Sequence, residues 1–208
     1  MKTKRGFFIT FEGPEGGGKS TQIKKARTYL KKHGCRVLVL REPGGTRVSE
    51  AIRKILLHLK NGKIEKETEL LLYLAARAQI VRERIAPALA KGWVVLCDRF
   101  EDSTLAYQGF CRGLSVSAIQ RTSRDFVCGN LQPDLTFVLD IDPVKGMARG
   151  GRHDRMEKQS IQFHRRVRRG FLELARKNRR RFRVIDAVRT VDQVSQEILK
   201  EIERAFGL

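Results

Sequence analysis

Eight consecutive residues, Gly13-Pro14-Glu15-Gly16-Gly17-Gly18-Lys19-Ser20, could do specific chemistry. They match G-x-x-x-x-G-K-[ST] in full, with Thr21 following, between an apolar run and a helical pattern. That is the context in which such a loop cradles phosphates. Glycines let backbone N–H groups turn inward around phosphate oxygens, and the helix that follows adds the positive end of its dipole. Lys19 is placed to contact the β- and γ-phosphates, and the Ser20 hydroxyl to bind Mg2+. A nucleoside triphosphate with Mg2+ is therefore the expected ligand of the loop.

A loop of this kind needs a carboxylate near the metal, at the end of an apolar strand. Asp98, after Val94-Val95-Leu96-Cys97, and Asp140, after Leu135–Leu139, both have that form. Asp98 is favoured because Arg99 follows it directly, and an Asp-Arg pair suits a metal and phosphate site. No Asn-Lys-x-Asp element follows a late strand, so nothing supports guanine specificity.

Phosphoryl transfer also needs an acceptor pocket and something to exclude water. Tyr73 and Arg77 stand four apart and share a helix face, where a ring can stack on a base and a guanidinium can reach its edge. The segment from Asp98 to Gly113 is dense in polar groups: Arg99, Ser103, Thr104, Tyr107, Gln108 and Arg112. Farther on, Arg149, Arg152 and Arg155 are interleaved with Gly150 and Gly151 in a segment expected to form a lid, at about residues 143–157. Lid arginines can neutralise charge on a transferring phosphoryl group. His33, His58, His153 and His164 are scattered and make no metal set.

The elements that must hold these groups alternate along the chain. Phe7–Phe11, Arg36–Leu40, Trp93–Cys97, Leu135–Leu139 and Arg183–Ile185 read as strands, several of them continuously apolar, as strands buried on both faces are. Helical spacing runs over about Lys19–His33, Val48–Leu59, Thr68–Leu89, Val116–Val127, Lys158–Asn178 and Val191–Ala205. Pro87 is expected to kink or end the third pattern. The alternation predicts an α/β fold with a doubly wound parallel sheet, a single domain over 1–208. Ligands are then expected beyond the carboxyl ends of the strands, where EGPEGGGKST, REPGGT, DRFEDST, DIDP and DAVRT follow.

Composition sets outer bounds. The 208 residues carry 43 Lys and Arg against 23 Asp and Glu, a net +20 that favours anionic partners. More than half of that excess lies between Arg149 and Arg183, with fourteen basic residues against three acidic ones. The basic-then-apolar start, MKTKRGFFITFEG, has too short an apolar run for a signal peptide, and no stretch approaches a membrane span. Cys35, Cys97, Cys111 and Cys128 form no CxxC pair, so a reducing cytoplasm is the expected setting.

The ordered set GPEGGGKST, REPGGT, LAARAQ, DRF followed by STLAYQG, PDLTFVLD and a lid ending in DRME resembles the thymidylate kinase family from Phe7 to the last helix. The resemblance implies a five-stranded parallel core, a homodimer, and Mg2+-dependent transfer of the ATP γ-phosphoryl group to dTMP. By resemblance, Tyr73 stands where the family usually stacks a phenylalanine on thymine, and Arg77 matches the arginine at the base edge. Ser103, Thr104, Tyr107 and Gln108 fall in the acceptor pocket, with Tyr107 near the sugar. Glu15 matches a residue near the acceptor 3′-hydroxyl. Arg41 and Arg99 match contacts to the acceptor phosphate, with Asp98 and Glu42 near the metal. The phosphate loop has no basic residue at its variable positions while the lid has three arginines, so the chain resembles the bacterial, lid-arginine group. The lid is about three residues shorter than is usual there.

Lys19, Arg99, Arg149, Arg152 and Arg155 are thus the expected catalytic groups, and ATP's adenine is expected near Asp186–Val191. Two other readings predict different behaviour. A kinase for another deoxynucleoside monophosphate would prefer a different acceptor. A nucleic-acid-binding ATPase would show steeply salt-dependent binding, but no helix-turn-helix, RNA-binding or zinc signature supports it, and neither a nucleic-acid nor a membrane partner is expected.

Overall fold

Alternate side chains of an extended chain point to opposite faces, and the central strands use both faces. Ile9, Phe11, Phe137 and Leu139 enter one core, and Phe8, Val95 and Val138 face the other way. The computed structural model describes residues 5–150 and 154–207. Its strands are β1 Phe7–Glu12, β2 Val37–Arg41, β3 Val94–Asp98, β4 Leu135–Asp140 and β5 Phe182–Asp186. They pair in parallel in the order β2-β3-β1-β4-β5. Every expected strand is present, within a residue or so at each end.

The helices are α1 Lys19–Lys32, α2 Arg47–Leu57, α3 Lys66–Ile80, α4 Ala86–Ala90, α5 Glu101–Thr104, α6 Val116–Thr122, α7 Pro143–Ala148, α8 Ile161–Lys177 and α9 Val191–Phe206. On one face, α1 and α9 bring Ile23, Leu30, Ile198 and Ile202 against the sheet. On the other, Leu74, Ile80 and Ile85 pack on Phe8 and Val95, while Phe163, Val167 and Phe171 of α8 pack near Val138. The doubly wound α/β architecture is as expected. β1 lies between β3 and β4, so its exit is the switch point where ligands collect.

The helical pattern is interrupted near Pro87 as expected: a π-helical turn, Val81–Ile85, separates α3 from α4, and Pro87 is the second residue of α4. Two helical details differ from expectation. The polar segment after Asp98 is helical: α5 runs into a second π-helical turn, Leu105–Cys111. Within the expected lid, α7 starts from Asp142, whose side chain accepts from the Val144 N–H at 2.9 Å.

Much of the basic surplus is tied into this frame. Arg168 of α8 grips Asp140 with Nε and Nη2 at 2.7 and 2.8 Å. Asp140 therefore ends β4 as an anchor for α8. Arg181 donates to Asp102 at 2.6 Å and to the Thr136 hydroxyl at 2.7 Å, and Thr136 meets Thr10 at 2.8 Å. Arg183 pairs with Glu201 at 2.5 Å. The excess charge at 165–183 is thus not simply a solvated helix face, although Arg165, Arg166, Arg176, Arg179 and Arg180 remain exposed.

Candidate active site

The residues between β1 and α1 turn back sharply, with φ of 123° at Gly13, 71° at Gly16 and 83° at Gly18. Side chains rarely adopt such values. Space also dictates glycine: a Cβ on Gly16 would lie 1.9 Å from the Gly146 carbonyl oxygen, and one on Gly146 would lie 2.2 Å from that of Glu15. The phosphate loop therefore rests directly on the backbone of α7. At the start of α1 no side chain caps the first turn, so its N–H groups stay available to an anion. Lys19 reaches back along the loop and donates Nζ to the carbonyls of Gly13 at 3.3 Å and Pro14 at 2.9 Å.

Arg99 is the hub of the site. It leaves β3 at φ 70°, a left-handed conformation that costs a side-chain-bearing residue about 1–2 kcal/mol. The bend aims its guanidinium across the phosphate loop: Nη1 donates to Gly13 O at 3.1 Å and Ser103 Oγ at 3.2 Å, and Nη2 to Glu15 Oε1 at 2.5 Å. It also lies over the Tyr107 ring, 5.3 Å from the centroid, and the Tyr107 hydroxyl donates to Glu15 Oε1 at 3.1 Å. Burial opposes ionisation of Glu15, but Arg99 and then Lys19 outweigh it and hold the carboxyl down at about 2. Beneath them, Glu12 accepts from the Phe100 N–H at 2.7 Å and the Ser103 hydroxyl at 2.5 Å, fixing the start of α5. Its own burial, then the charge of Asp102, push it up to about 8.

The metal-binding expectation divides. Ser20 Oγ donates to Asp98 Oδ2 at 3.2 Å, so a hydroxyl and a carboxylate meet at the exit of β3. Hard oxygen donors of this kind suit Mg2+, which keeps water and phosphate ligands and needs few from protein. The described residues hold no group of three or more His, Cys, Asp or Glu placed for a metal. Glu42 lines the same cavity but is engaged by another side chain: its Oε2 accepts from Arg77 Nε at 2.7 Å, with both side chains buried. Its geometry is that of an arginine-orienting residue, because a guanidinium so enclosed requires a counter-charge.

One cavity of about 850 Å3 joins these parts. Glu15, Gly16, Gly18, Lys19, Ser20 and Thr21 line its middle. Tyr73, Arg77, Ser103, Thr104, Tyr107 and Gln108 line one end with Arg41 and Arg99, and Arg149 with Val188–Val191 the other. Gly13, Pro14 and Gly17 form the loop's backbone beneath the lining. Arg149 donates to the carbonyls of Ala187 at 2.8 Å and Val188 at 3.4 Å, beside the expected adenine position.

Two lid arginines need separate treatment. Arg152 lies outside the described residues. Arg155 is described, and it does not face the cavity: Nε donates to Leu56 O at 2.8 Å and Nη2 to Glu69 Oε2 at 2.6 Å. In this structure its guanidinium is held by a buried carboxylate and not by the phosphate loop. Arg53, Leu57, Asp154, Met156 and Glu157 line the acceptor end and were not singled out from sequence. The last three flank Arg155 in DRME, a motif whose remaining members offered the only available signal. Glu69 had none, because its partners are 39 to 86 residues away.

Comparison with known proteins gives a consistent answer. The thymidylate kinase family profile matches residues 11–198. A thymidylate kinase of Pelotomaculum thermopropionicum is 50% identical over 206 residues, covering 97% of this chain and 95% of its own. One from Geobacter sulfurreducens is 53% identical over 190 residues, covering 87% and 89%. The crystal structure of thymidylate kinase from Ehrlichia chaffeensis superimposes with a TM-score of 0.77 at 34% identity, over 95% of this chain and 98% of that one. With sequence, site and architecture in agreement over nearly its full length, the chain belongs to the thymidylate kinase family.

Proposed function

We propose that the chain, a nucleoside monophosphate kinase, transfers the γ-phosphoryl group of ATP to the phosphate of dTMP, giving dTDP and ADP. The observation that carries this reading is the continuity of the cavity from Val188–Val191, past the phosphate loop, to Tyr73 and Gln108. Its lining supplies an aromatic and polar group of side chains and a second, Arg149-bearing group around one set of phosphate-binding groups.

The residues divide the work. ATP lies with its adenine beside Arg149 and Val188–Val191 and its phosphates on the loop amides. Lys19 Nζ spends two of its three N–H donors on loop carbonyls, which holds the ammonium beside the phosphates. On the acceptor side, Tyr73 stacks on the base, Arg77 meets its edge, and Thr104 and Gln108 line the opposite wall. Arg41 and Arg99 draw in the acceptor phosphate. Tyr107 and Glu15 lie under the sugar, where Glu15 stays anionic because Arg99 and Lys19 hold its pKa low. Ser20 and Asp98 would hold Mg2+, which when bound neutralises charge on the β- and γ-phosphates. The attacking group is an anionic phosphate oxygen, so no residue need remove a proton. Alignment and charge neutralisation are the catalytic means.

The exposed apolar residues support a homodimer. Phe126 is 75% and Leu71 62% exposed, with Val48 and Ile55 also open, and they lie on elements that pack together, α2 against α3 and α3 against the turn Ser123–Cys128. We also infer one kinase domain with a lid at about residues 143–157, working in the cytoplasm. No described helix is long and apolar enough to cross a membrane.

Measuring ADP formation with dTMP, dUMP, dCMP and dGMP in turn tests the assignment. The highest kcat/KM belongs to dTMP. A higher value for another acceptor, or turnover stimulated by nucleic acid and not by dTMP, would sink it.

A further inference from the structure

The carboxylate of Glu69 on α3 is fully enclosed, with 0% exposure, and it does not line the cavity. Four donors converge on it. Oε1 accepts from Gln108 Nε2 at 2.9 Å and Arg112 Nε at 3.2 Å, and Oε2 from Arg155 Nη2 at 2.6 Å and Arg112 Nη2 at 3.3 Å. The four come from three residues, Gln108 and Arg112 at the turn Leu105–Cys111 and Arg155 beyond α7. Gln108 follows Tyr107 on the wall of the acceptor pocket. Arg155 ties in the end of α2 through Leu56 O at 2.8 Å, and its backbone N–H donates to Leu57 O at 3.1 Å. Arg112 lies over the Phe163 ring of α8, 4.8 Å from its centroid. Glu69 itself stands one helical turn before Tyr73, the opposite wall. Burial works against its charge, but the bonds from Gln108 and Arg155, with Arg112 beside them, keep the carboxyl below its ordinary range.

Two guanidiniums on one enclosed carboxylate make a poor device for stability alone, since apolar packing of the same volume often does as well. The arrangement does fix a distance. Tyr73 and Tyr107 belong to different elements, and Glu69 is where those elements, the end of α2 and the strap Asp154–Glu157 meet.

We propose that Glu69 is a positioning residue for the acceptor: by clamping Gln108, Arg112 and Arg155 it sets the spacing of the walls between which dTMP binds. The proposal rests on reading that end of the cavity as the dTMP site. It separates Arg155 from the phosphates and gives the DRME motif a structural purpose on the acceptor side.

Steady-state kinetics for both substrates on the full-length wild type, Glu69→Gln, Arg155→Gln and the double variant provide the test, with circular dichroism and thermal melting to confirm folding. A glutamine amide presents N–H groups to arginine donors, so Glu69→Gln should raise the dTMP KM by about tenfold or more, a loss on the scale of one charged hydrogen bond. The ATP KM should stay within about twofold, and the double variant should be no worse than the poorer single one, as expected of one shared interaction. If Glu69→Gln does not fold, Arg112→Gln removes one clamp only and should raise the dTMP KM alone by a smaller factor. An unchanged dTMP KM in a folded variant, or equal increases for both substrates, would overturn the proposal while leaving the dTMP site intact. A wild type that does not phosphorylate dTMP would overturn both.

Discussion

Arg77 donates Nε to Glu42 Oε2 at 2.7 Å while the two side chains are only 2% and 4% exposed. Arg77 Nη1 and Glu42 Oε1 have no partner among the described residues in that enclosed setting. Pairing with Glu42 overcomes burial and holds the guanidinium protonated. One half of the interaction is committed to the fold, and the other is free for a ligand. Arg77→Met should therefore cost about 3–5 kcal/mol, because it strands a buried carboxylate. Arg77→Met with Glu42→Met should regain most of that in urea titrations without regaining dTMP affinity. Recovery of both would mean that Arg77 does not read the base.

Lys19 is buried with Nζ on the carbonyls of Gly13 and Pro14, and the proposed function gives it the phosphates. Lys19→Ala should lower kcat by about 10²–10³-fold, the scale of losing one preorganised donor to the transition state. The melting temperature should change little. Activity within an order of magnitude of wild type would remove Lys19 from the mechanism.

Arg149 bonds the carbonyls of Ala187 and Val188 at the donor end. Arg149→Ala should raise the ATP KM by about tenfold, the worth of roughly 1.4 kcal/mol, with the dTMP KM unchanged. This is the reverse of the pattern expected at Glu69, so the two variants together map the two ends of the cavity.

Glu12 gives a pH signature. Its folded pKa is raised to about 8 by burial and then by Asp102, with Ser103, Arg99 and the Phe100 N–H pulling the other way. The folded state thus binds a proton that the unfolded chain releases near its ordinary value of about 4.3. Its contribution is most favourable below that value and is lost as pH rises toward 8. Compared with Glu12→Gln, the wild type should lose stability between about pH 5 and 8, measured by chemical denaturation across that range. Parallel profiles for the two proteins would refute the assignment.

Gly146→Ala tests the contact between α7 and the phosphate loop. The added methyl carbon would sit 2.2 Å from the Glu15 carbonyl oxygen, so backbone must shift, at about 1–3 kcal/mol. Because the displaced segment is the phosphate loop, the ATP KM should rise along with the loss of stability. Gly150→Ala, with nothing within 4 Å of its Cβ position, should do neither.

How far the sequence reaches depends on how far apart the interacting residues are. The phosphate loop was legible because its requirements are met within a few adjacent residues, and the strands because continuous apolar runs bounded by glycines and charges leave few alternatives. Asp98 and Asp140 could not be separated by pattern. The distinction lies in Arg168, which claims Asp140 from 28 residues away. Arg155 reads from sequence as a phosphate ligand for the same reason: the carboxylate that holds it lies 86 residues upstream. The helix carrying Tyr107 was not foreseen either, since its π-helical turn departs from the 3.6-residue spacing by which helices are recognised.

The bond between Thr10 and Thr136 has a further consequence. These residues are direct neighbours on β1 and β4, inside a sheet whose strand interiors are mostly Val, Leu, Ile and Phe. A slip of two residues between such strands would keep every side chain on its proper face, so greasy surfaces alone discriminate weakly against it. Sliding either strand by two residues would separate the two hydroxyls, and sliding β4 would also break the Arg181 bond to Thr136. The pair thus works as a key and keyway, rejecting misaligned assemblies that hydrophobic matching would accept, and it sets the height at which β1 delivers its glycines to the nucleotide.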